Sequence, residues 1–177
     1  MAEKDFVNNL NIRTTRYASV ENKSEIEALE DLLPGILKTT TLGYDGKGQI
    51  KINDHADLSE AWKVIGSNEL ILEEFIPFKR ELSIIIAKDY NGKIELYDVV
   101  ENKHKNHILD QTIAPAPNIS QDVINLAKNI AIKIATELNL IGLLAIELFE
   151  LDDGELLVNE IAPRPHNSGH WTMDLSL

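Results

Sequence analysis

The stretch from Leu143 to Ile161 constrains this chain more than any other: two apolar runs flank Asp152-Asp153-Gly154-Glu155, which reads as two antiparallel strands joined by a tight turn. Asp153-Gly154 is a strong two-residue turn signal, because both central positions of such a turn need positive φ. With that turn, Asp152 pairs with Glu155. Counting back along both strands then sets Glu147 directly opposite Glu160 on one face of the sheet. Carboxylates opposed at roughly 5 Å between Cβ atoms repel, and apolar surroundings add a desolvation cost. A divalent cation is a natural compensator, since Mg²⁺ is commonly held by one or two carboxylates while phosphates and water complete its shell. The alternatives are that both side chains face solvent or that one stays protonated. Strand alternation points Asn159 to the opposite face unless the strand twists or ends there, although an amide beside the pair is a suitable oxygen donor.

Around this hairpin the elements alternate in class, which predicts an α+β architecture. Helical patterning covers Met1 to Asn11, Ser24 to Leu33 and Asp57 to Ile65, and strands are expected over Gly35 to Thr39, Gln49 to Ile52 and Leu70 to Leu72. Glu81 to Ala87 and Lys93 to Val100 form a second hairpin around Tyr90-Asn91-Gly92. The best helix starts at Ser120, a good N-cap, and runs to Leu138 with Val123, Ala127, Ile130, Ile134 and Leu138 along one face. Asn139 can end it in a left-handed conformation.

Gly43-Tyr44-Asp45-Gly46-Lys47-Gly48-Gln49 places three glycines and a lysine between two expected strands, so that backbone N–H groups can approach phosphate oxygens. It lacks the Gly-Lys-Ser or Gly-Lys-Thr of a Walker A loop, and a plain hairpin with Asp45-Gly46 at its tip is the alternative. Lys38, ending an apolar run, adds a flexible ammonium beside the same loop. Glu73-Glu74-Phe75-Ile76 follows a buried strand and can offer backbone groups to an adenine edge. Glu81 opens the next strand, where its carboxylate can accept from ribose hydroxyls. His104 lies in a polar segment that by itself carries no assignment.

With 44% apolar residues among 177, the chain can bury one core or two small ones. It contains no cysteine, which excludes a disulfide framework and a thiolate metal site and leaves the chemistry to carboxylates, lysines, histidines and backbone. A net charge of -12 argues against a nucleic-acid surface. No apolar run reaches membrane-spanning length and Met1 to Leu10 is unlike a leader, so the expected setting is cytoplasmic, with neither nucleic acid nor membrane as partner.

The order of these pieces, from Lys38 through the glycine-rich loop, Glu73 to Ile76, Glu81, Glu147 and Asn159-Glu160, resembles the ATP-grasp superfamily. More narrowly, the run Val158 to Thr172, with Ala162-Pro163-Arg164-Pro165-His166-Asn167-Ser168-Gly169-His170 at its centre, resembles the 5-(carboxyamino)imidazole ribonucleotide synthases. Glu101 to His104 and Ile108 to Ala116 fit the same family. The resemblance implies an ATP-grasp fold of two α+β subdomains with the nucleotide site between them: an entry helix over 1–12, a small subdomain over 13–76 and a large one over 77–177. It implies a ligase of purine biosynthesis that uses ATP to turn bicarbonate into carboxyphosphate and then carboxylates 5-aminoimidazole ribonucleotide.

On this resemblance Lys38, Gly43, Tyr44, Asp45, Gly46, Lys47, Gly48, Gln49 and His104 engage ATP. Glu73, Glu74, Phe75 and Ile76 meet the adenine, and Glu81 the ribose. Glu147 and Glu160 hold Mg²⁺ with Asn159 beside them, and Arg164, His166 and, on loop closure, Asp45 serve the bicarbonate and ribonucleotide. It further implies a homodimer for the full-length protein and flanking N- and C-terminal domains that this sequence lacks. His107 stands where the family leads one to expect glycine. Two alternatives remain at this stage: a Mg-ATP-binding fragment without turnover of its own, and another ATP-grasp carboxylating enzyme.

Overall fold

A computed structural model describes residues 2–22, 25, 28–39, 48–65, 69–105 and 108–175, with the side chains at 55, 56, 58–60, 174 and 175 outside that description. Gly43 to Lys47 of the glycine-rich loop, and His107, therefore lie outside the described residues. The chain divides into two compact units, one built on Thr15–Pro77 and the other on Ala2–Thr14, Phe78–Lys105 and Leu109–Leu177.

The first unit is a four-stranded antiparallel sheet backed by a helix. Strands β1 (Tyr17–Val20), β2 (Gly35–Thr39), β3 (Gln49–Ile52) and β4 (Leu70–Glu74) lie in the order β1-β4-β2-β3, and helix α2 spans His55–Ile65. Leu37, Ile52, Leu70 and Leu72 are essentially inaccessible and form its core with Val20, Leu32 and Ala61. Alternation along the strands sends Lys38 and Glu73 to the other face. Of the helix expected over Ser24 to Leu33, Ser24, Ile26 and Glu27 lie outside the described residues, Glu25 is helical, and a 3-10 turn spans Glu30–Leu32, after which Leu33 is already extended, the geometry favoured before Pro34.

The second unit is a six-stranded sheet. Its strands are β5 (Arg80–Lys88), β6 (Ile94–Leu96), β7 (Val100–Lys105), β8 (Ile108–Ile113), β9 (Gly142–Glu150) and β10 (Leu156–Ala162), ordered β10-β9-β5-β7-β8 with β6 paired to β5. The strand expected over Lys93 to Val100 is broken: Ile94–Leu96 pairs with one end of β5, and the chain rejoins β5 at Val100, one residue out of register. Helix α1 (Ala2–Asn9) packs into this unit through Val7 and helix α3 (Gln121–Glu137) covers one face of the sheet, burying Leu82, Ile84, Ile86, Leu144, Ile146 and Leu148. The Ser120 side chain caps α3 by accepting from the Val123 N–H, and Asn139 at φ 49° ends it. Val123, Ala127, Ile130 and Ile134 are buried as expected, but Leu138, the residue that caps the end of the helix, is 37% exposed.

The β9–β10 hairpin corrects the sequence reading twice, and the two corrections cancel. The turn is a three-residue loop in which Leu151, not Asp152, pairs with Glu155; Gly154 at φ 84° takes the left-handed position that such loops require. Beyond it Leu156 faces Glu150 and Val158 faces Leu148, one step from the expected register. A β-bulge at Asn159 then inserts one residue, so that Glu160 does face Glu147, Ile161 faces Ile146 and Ala162 faces Ala145.

Candidate active site

The face of the second unit's sheet opposite α3 gathers most of the polar residues singled out from the sequence. Glu81 and Ser83 on β5, Asn102 and His104 on β7, and Glu147 on β9 share it by strand alternation and register. The bulge adds Asn159 to the same side: its Nδ2 lies 3.5 Å from Glu147 Oε2, where plain alternation would have turned it away. Beyond β10, His166 caps a short 3-10 turn (Asn167–Gly169) and reaches back, with Nδ1 3.8 Å from Glu147 and Nε2 3.9 Å from Glu160. Arg164 Nη2 stands 3.7 Å from Glu160 Oε1.

Electrostatically, Glu147 is the unusual member. Burial, and then the charge of Glu160 opposite, push its carboxyl up to about 7, against smaller opposing effects of His104 and the Asn159 hydrogen bond. Its side chain is 14% exposed while that of Glu160 is 45% exposed, so one carboxylate is desolvated and the other is the accessible arm of the pair. His166 is pushed the other way by burial, which outweighs the attraction of Glu160. The Ser168 N–H and hydroxyl both lie against His166 Nδ1, and the N–H makes that nitrogen an acceptor and leaves the proton of the neutral ring on Nε2.

His104 contrasts with it. Its Nδ1 lies 2.5 Å from Glu81 Oε2, and the hydrogen bond to that carboxylate raises the imidazole above its ordinary value despite partial burial. This pairing stabilises the fold fully below the unfolded imidazole value and is lost as pH rises through the higher folded one. An NMR titration should place the His104 midpoint above 6.5, and Glu81→Gln should lower it. A midpoint unmoved by that substitution would contradict the pairing.

Sequence reasoning missed the buried polar relay on this face. Thr112 Oγ1 donates to Asn102 Oδ1 at 3.0 Å, and Asn102 Nδ2 donates to Ser83 Oγ at 2.5 Å, with Ser83 and Asn102 both buried and Ser83 directly opposite Glu147. The only signal available was a run of polar residues on strands whose neighbours are apolar.

In the first unit, Lys38 Nζ is held 2.9 Å from Glu73 Oε2, and Glu73 is buried. Glu73 thus uses its carboxylate to fix the lysine. Glu74 accepts from Arg16 Nε at 2.8 Å, and the Lys51 ammonium lies 3.8 Å from the centre of the Phe75 ring. The N–H of Glu74 donates to Arg16 O and that of Phe75 to Pro34 O, so neither is open to an adenine edge. Gly48, at φ 76°, lies where a Cβ would meet Thr39 Oγ1 at 2.8 Å, and its carbonyl accepts from the Thr39 N–H at 2.9 Å. Gly48 and Gln49, which faces Lys38 across β2 and β3, thereby fix the far end of the glycine-rich segment.

The opposed carboxylates fit a hard divalent cation. They offer oxygen donors and one desolvated charge, and the contacting Asn159 amide could turn a further oxygen toward an ion. Among the described residues no group of three or more His, Cys, Asp or Glu gathers in metal-holding geometry, so the set does not suit a metal that needs a full protein cage. No described helix is long and apolar enough to cross a membrane.

Comparison with known proteins matches the ATP-grasp domain family over residues 5–177. The N5-carboxyaminoimidazole ribonucleotide synthase of Bacillus subtilis (strain 168) is 45% identical over 175 residues, which cover 98% of this chain and 46% of that protein. The crystal structure of an ADP complex of purK, an N5-carboxyaminoimidazole ribonucleotide synthetase, superposes with a TM-score of 0.91 at 41% identity, over 97% of this chain and 46% of that one. The corresponding synthase from Aspergillus clavatus, in complex with ADP and 5-aminoimidazole ribonucleotide, superposes at 0.86 with 27% identity, again over 97% and 46%. The chain thus spans less than half the length of these relatives. With its family matched along nearly its whole length, on a sheet whose β9–β10 hairpin carries the opposed carboxylates Glu147 and Glu160, this chain belongs to the ATP-grasp family.

Proposed function

We propose that this chain is the ATP-grasp portion of an ATP-dependent ligase that carboxylates 5-aminoimidazole ribonucleotide with bicarbonate. The observation that carries the reading is the bulged β9–β10 hairpin, which sets a desolvated Glu147 against Glu160. Similarity to synthases solved with ADP, and with ADP and the ribonucleotide, supports the choice of substrates.

Glu147 and Glu160 would hold Mg²⁺, with Asn159 beside them. When bound, the ion would offset negative charge building on the transferred phosphoryl group. Lys38, fixed by Glu73, presents an ammonium for a phosphate, and the glycine-rich segment Gly43 to Gln49, with Lys47, supplies backbone donors and a second cation. Ile76, with Phe75 packing, meets the adenine, and Glu81 with His104 meets the ribose and phosphate region. The reaction transfers the γ-phosphoryl group of ATP to a bicarbonate oxygen, giving carboxyphosphate and ADP; the exocyclic amine then takes the carboxyl group and inorganic phosphate leaves. Arg164, with a guanidinium more than half exposed, suits a bidentate clamp on bicarbonate or carboxyphosphate. His166, neutral with its proton on Nε2, can donate to the same group, and Asp45 is assigned to the substrate.

ADP release should depend on bicarbonate and 5-aminoimidazole ribonucleotide together, and Arg164→Ala should reduce it by about a hundredfold, in line with loss of one donor to a developing oxyanion. In a protein that carries this chain together with the rest of its relatives' length, ADP release indifferent to both co-substrates, or nucleotide binding without any release, would contradict the ligase reading.

A further inference from the structure

Strand β10 is the edge of its sheet, so the N–H and C=O groups on its outer side have no strand to pair with. Two of these N–H groups are taken by the N-terminal segment. Val158 donates to the Arg13 carbonyl at 2.9 Å, where Thr14 forms a parallel bridge with Val158, and Ile161 donates to Glu3 Oε1 at 2.8 Å. These bonds flank Asn159 and Glu160, the two residues of the bulge.

The bulge decides what faces Glu147. The three-residue turn alone sets a register in which Asn159 would stand opposite Glu147; Glu160 would then point to the other face, since a one-residue slip exchanges faces. Nothing in the turn prevents that slip, because the turn pairs Leu156, Leu157 and Val158 identically in both cases. The restraint has to act beyond Val158, where Ile161 and Ala162 pack against apolar neighbours, Arg164 and His166 approach Glu160, and the described backbone hydrogen bond from outside the hairpin runs from Ile161 to Glu3.

We propose that Glu3 is a positioning residue for the carboxylate pair: its carboxylate anchors the Ile161 N–H, holds the bulge at Asn159 and so keeps Glu160 and Asn159 against Glu147. This rests on the reading of Glu147 and Glu160 as metal ligands. Helix α1 gives Glu3 its leverage, because Val7 on the same helix is fully buried in the core of the unit.

The test uses the full chain with Mn²⁺ as the probe, titrated with and without ADP and read by the free-ion electron paramagnetic resonance signal. Glu3→Ala should raise the Mn²⁺ concentration for half-saturation by about tenfold, as for loss of other groups that orient metal ligands. Glu3→Asp, which keeps the charge but shortens the reach to Ile161, should do the same. Glu3→Gln, whose side-chain carbonyl can still accept from Ile161, should bind Mn²⁺ like the unaltered chain. Val7→Ala loosens the same helix but leaves the acceptor of the Ile161 N–H in place; it should lower the thermal midpoint and leave Mn²⁺ binding unchanged. Unchanged binding in Glu3→Ala and Glu3→Asp, or an equal loss in Val7→Ala, would overturn the proposal alone. No Mn²⁺ binding by the unaltered chain, or undiminished binding by the Glu147→Gln, Glu160→Gln double variant, would overturn the metal reading and this proposal with it.

Discussion

Replacing Glu147 by Gln is expected to make the metal-free chain more stable above about pH 7 while removing its response to Mg²⁺. The folded-state value of this carboxyl is about 7, raised from 4.5 by burial and by Glu160. Between those two values the folded chain holds a proton that the unfolded chain has released, so stability falls as pH rises across that window and is lowest above it. The gap is worth on the order of 3 kcal/mol, as an upper figure for a group that retains a little solvent contact. Gln stays neutral throughout and loses this slope. Urea midpoints measured in chelator across the window should therefore decline with pH in the unaltered chain and decline less in the variant. Parallel profiles would mean that the two carboxylates do not burden the fold. A site that is strained until a cation arrives is what a metal clamp requires, and a merely structural pair of glutamates would gain nothing from it.

Arg80→Ala should produce the largest loss of stability, with little effect on metal binding below the melting transition. Arg80 Nε donates to Glu150 at 2.5 Å, and its Nη1 reaches Glu101 at 3.2 Å and the Pro117 carbonyl at 2.6 Å. The Glu150 side chain is 3% exposed, and Lys79 Nζ lies 2.9 Å from its other oxygen. Burial alone would raise the Glu150 carboxyl; the hydrogen bonds from Arg80 and Lys79 outweigh it and hold the carboxyl below its usual range. That stabilisation is present above the unfolded carboxylate value and is lost as pH falls through the lower folded one. Removing Arg80 strips a buried carboxylate of its forked partner, a change that costs about 3–5 kcal/mol and about 10 °C in thermal midpoint for a chain of this size. Arg80→Lys should fall between, because an ammonium cannot serve Glu150, Glu101 and Pro117 together. A midpoint within a degree or two of the unaltered chain would show the network to be dispensable.

What was legible in the sequence was local. Helix α3 could be read because its cap, its apolar stripe and its left-handed terminator lie within twenty residues and act on one another directly. The Glu147–Glu160 pairing was legible for a subtler reason. The turn was assigned one residue too short and the bulge was not foreseen, and the two errors offset. Nothing in Val158-Asn159-Glu160 announces a bulge; the anchor assigned to it, Glu3, bonds Ile161 from 158 residues away in sequence, and periodicity carries no information over that span. The ion network around Glu150 was hidden for the same reason, since Arg80 and Lys79 are some seventy residues from it. For Glu73 the sequence offers backbone groups toward an adenine edge, and says nothing of its carboxylate, which burial and the pairing across β2 and β4 make the anchor of Lys38. The resemblance to a known family supplied roles for Arg164 and His166 that spacing alone would have left in a solvated loop.

The central claim is that Glu147 and Glu160 together hold the cation that accompanies ATP. The most direct test is the thermal midpoint of the full chain with a non-hydrolysable ATP analogue, with and without Mg²⁺, beside the Glu147→Gln, Glu160→Gln double variant. Ligand at about 100 times its dissociation constant should stabilise the folded state by about 2.7 kcal/mol, a shift of several degrees that Mg²⁺ enlarges in the unaltered chain and leaves unchanged in the double variant. An equal Mg²⁺ enhancement in both proteins would contradict the claim and place the cation elsewhere.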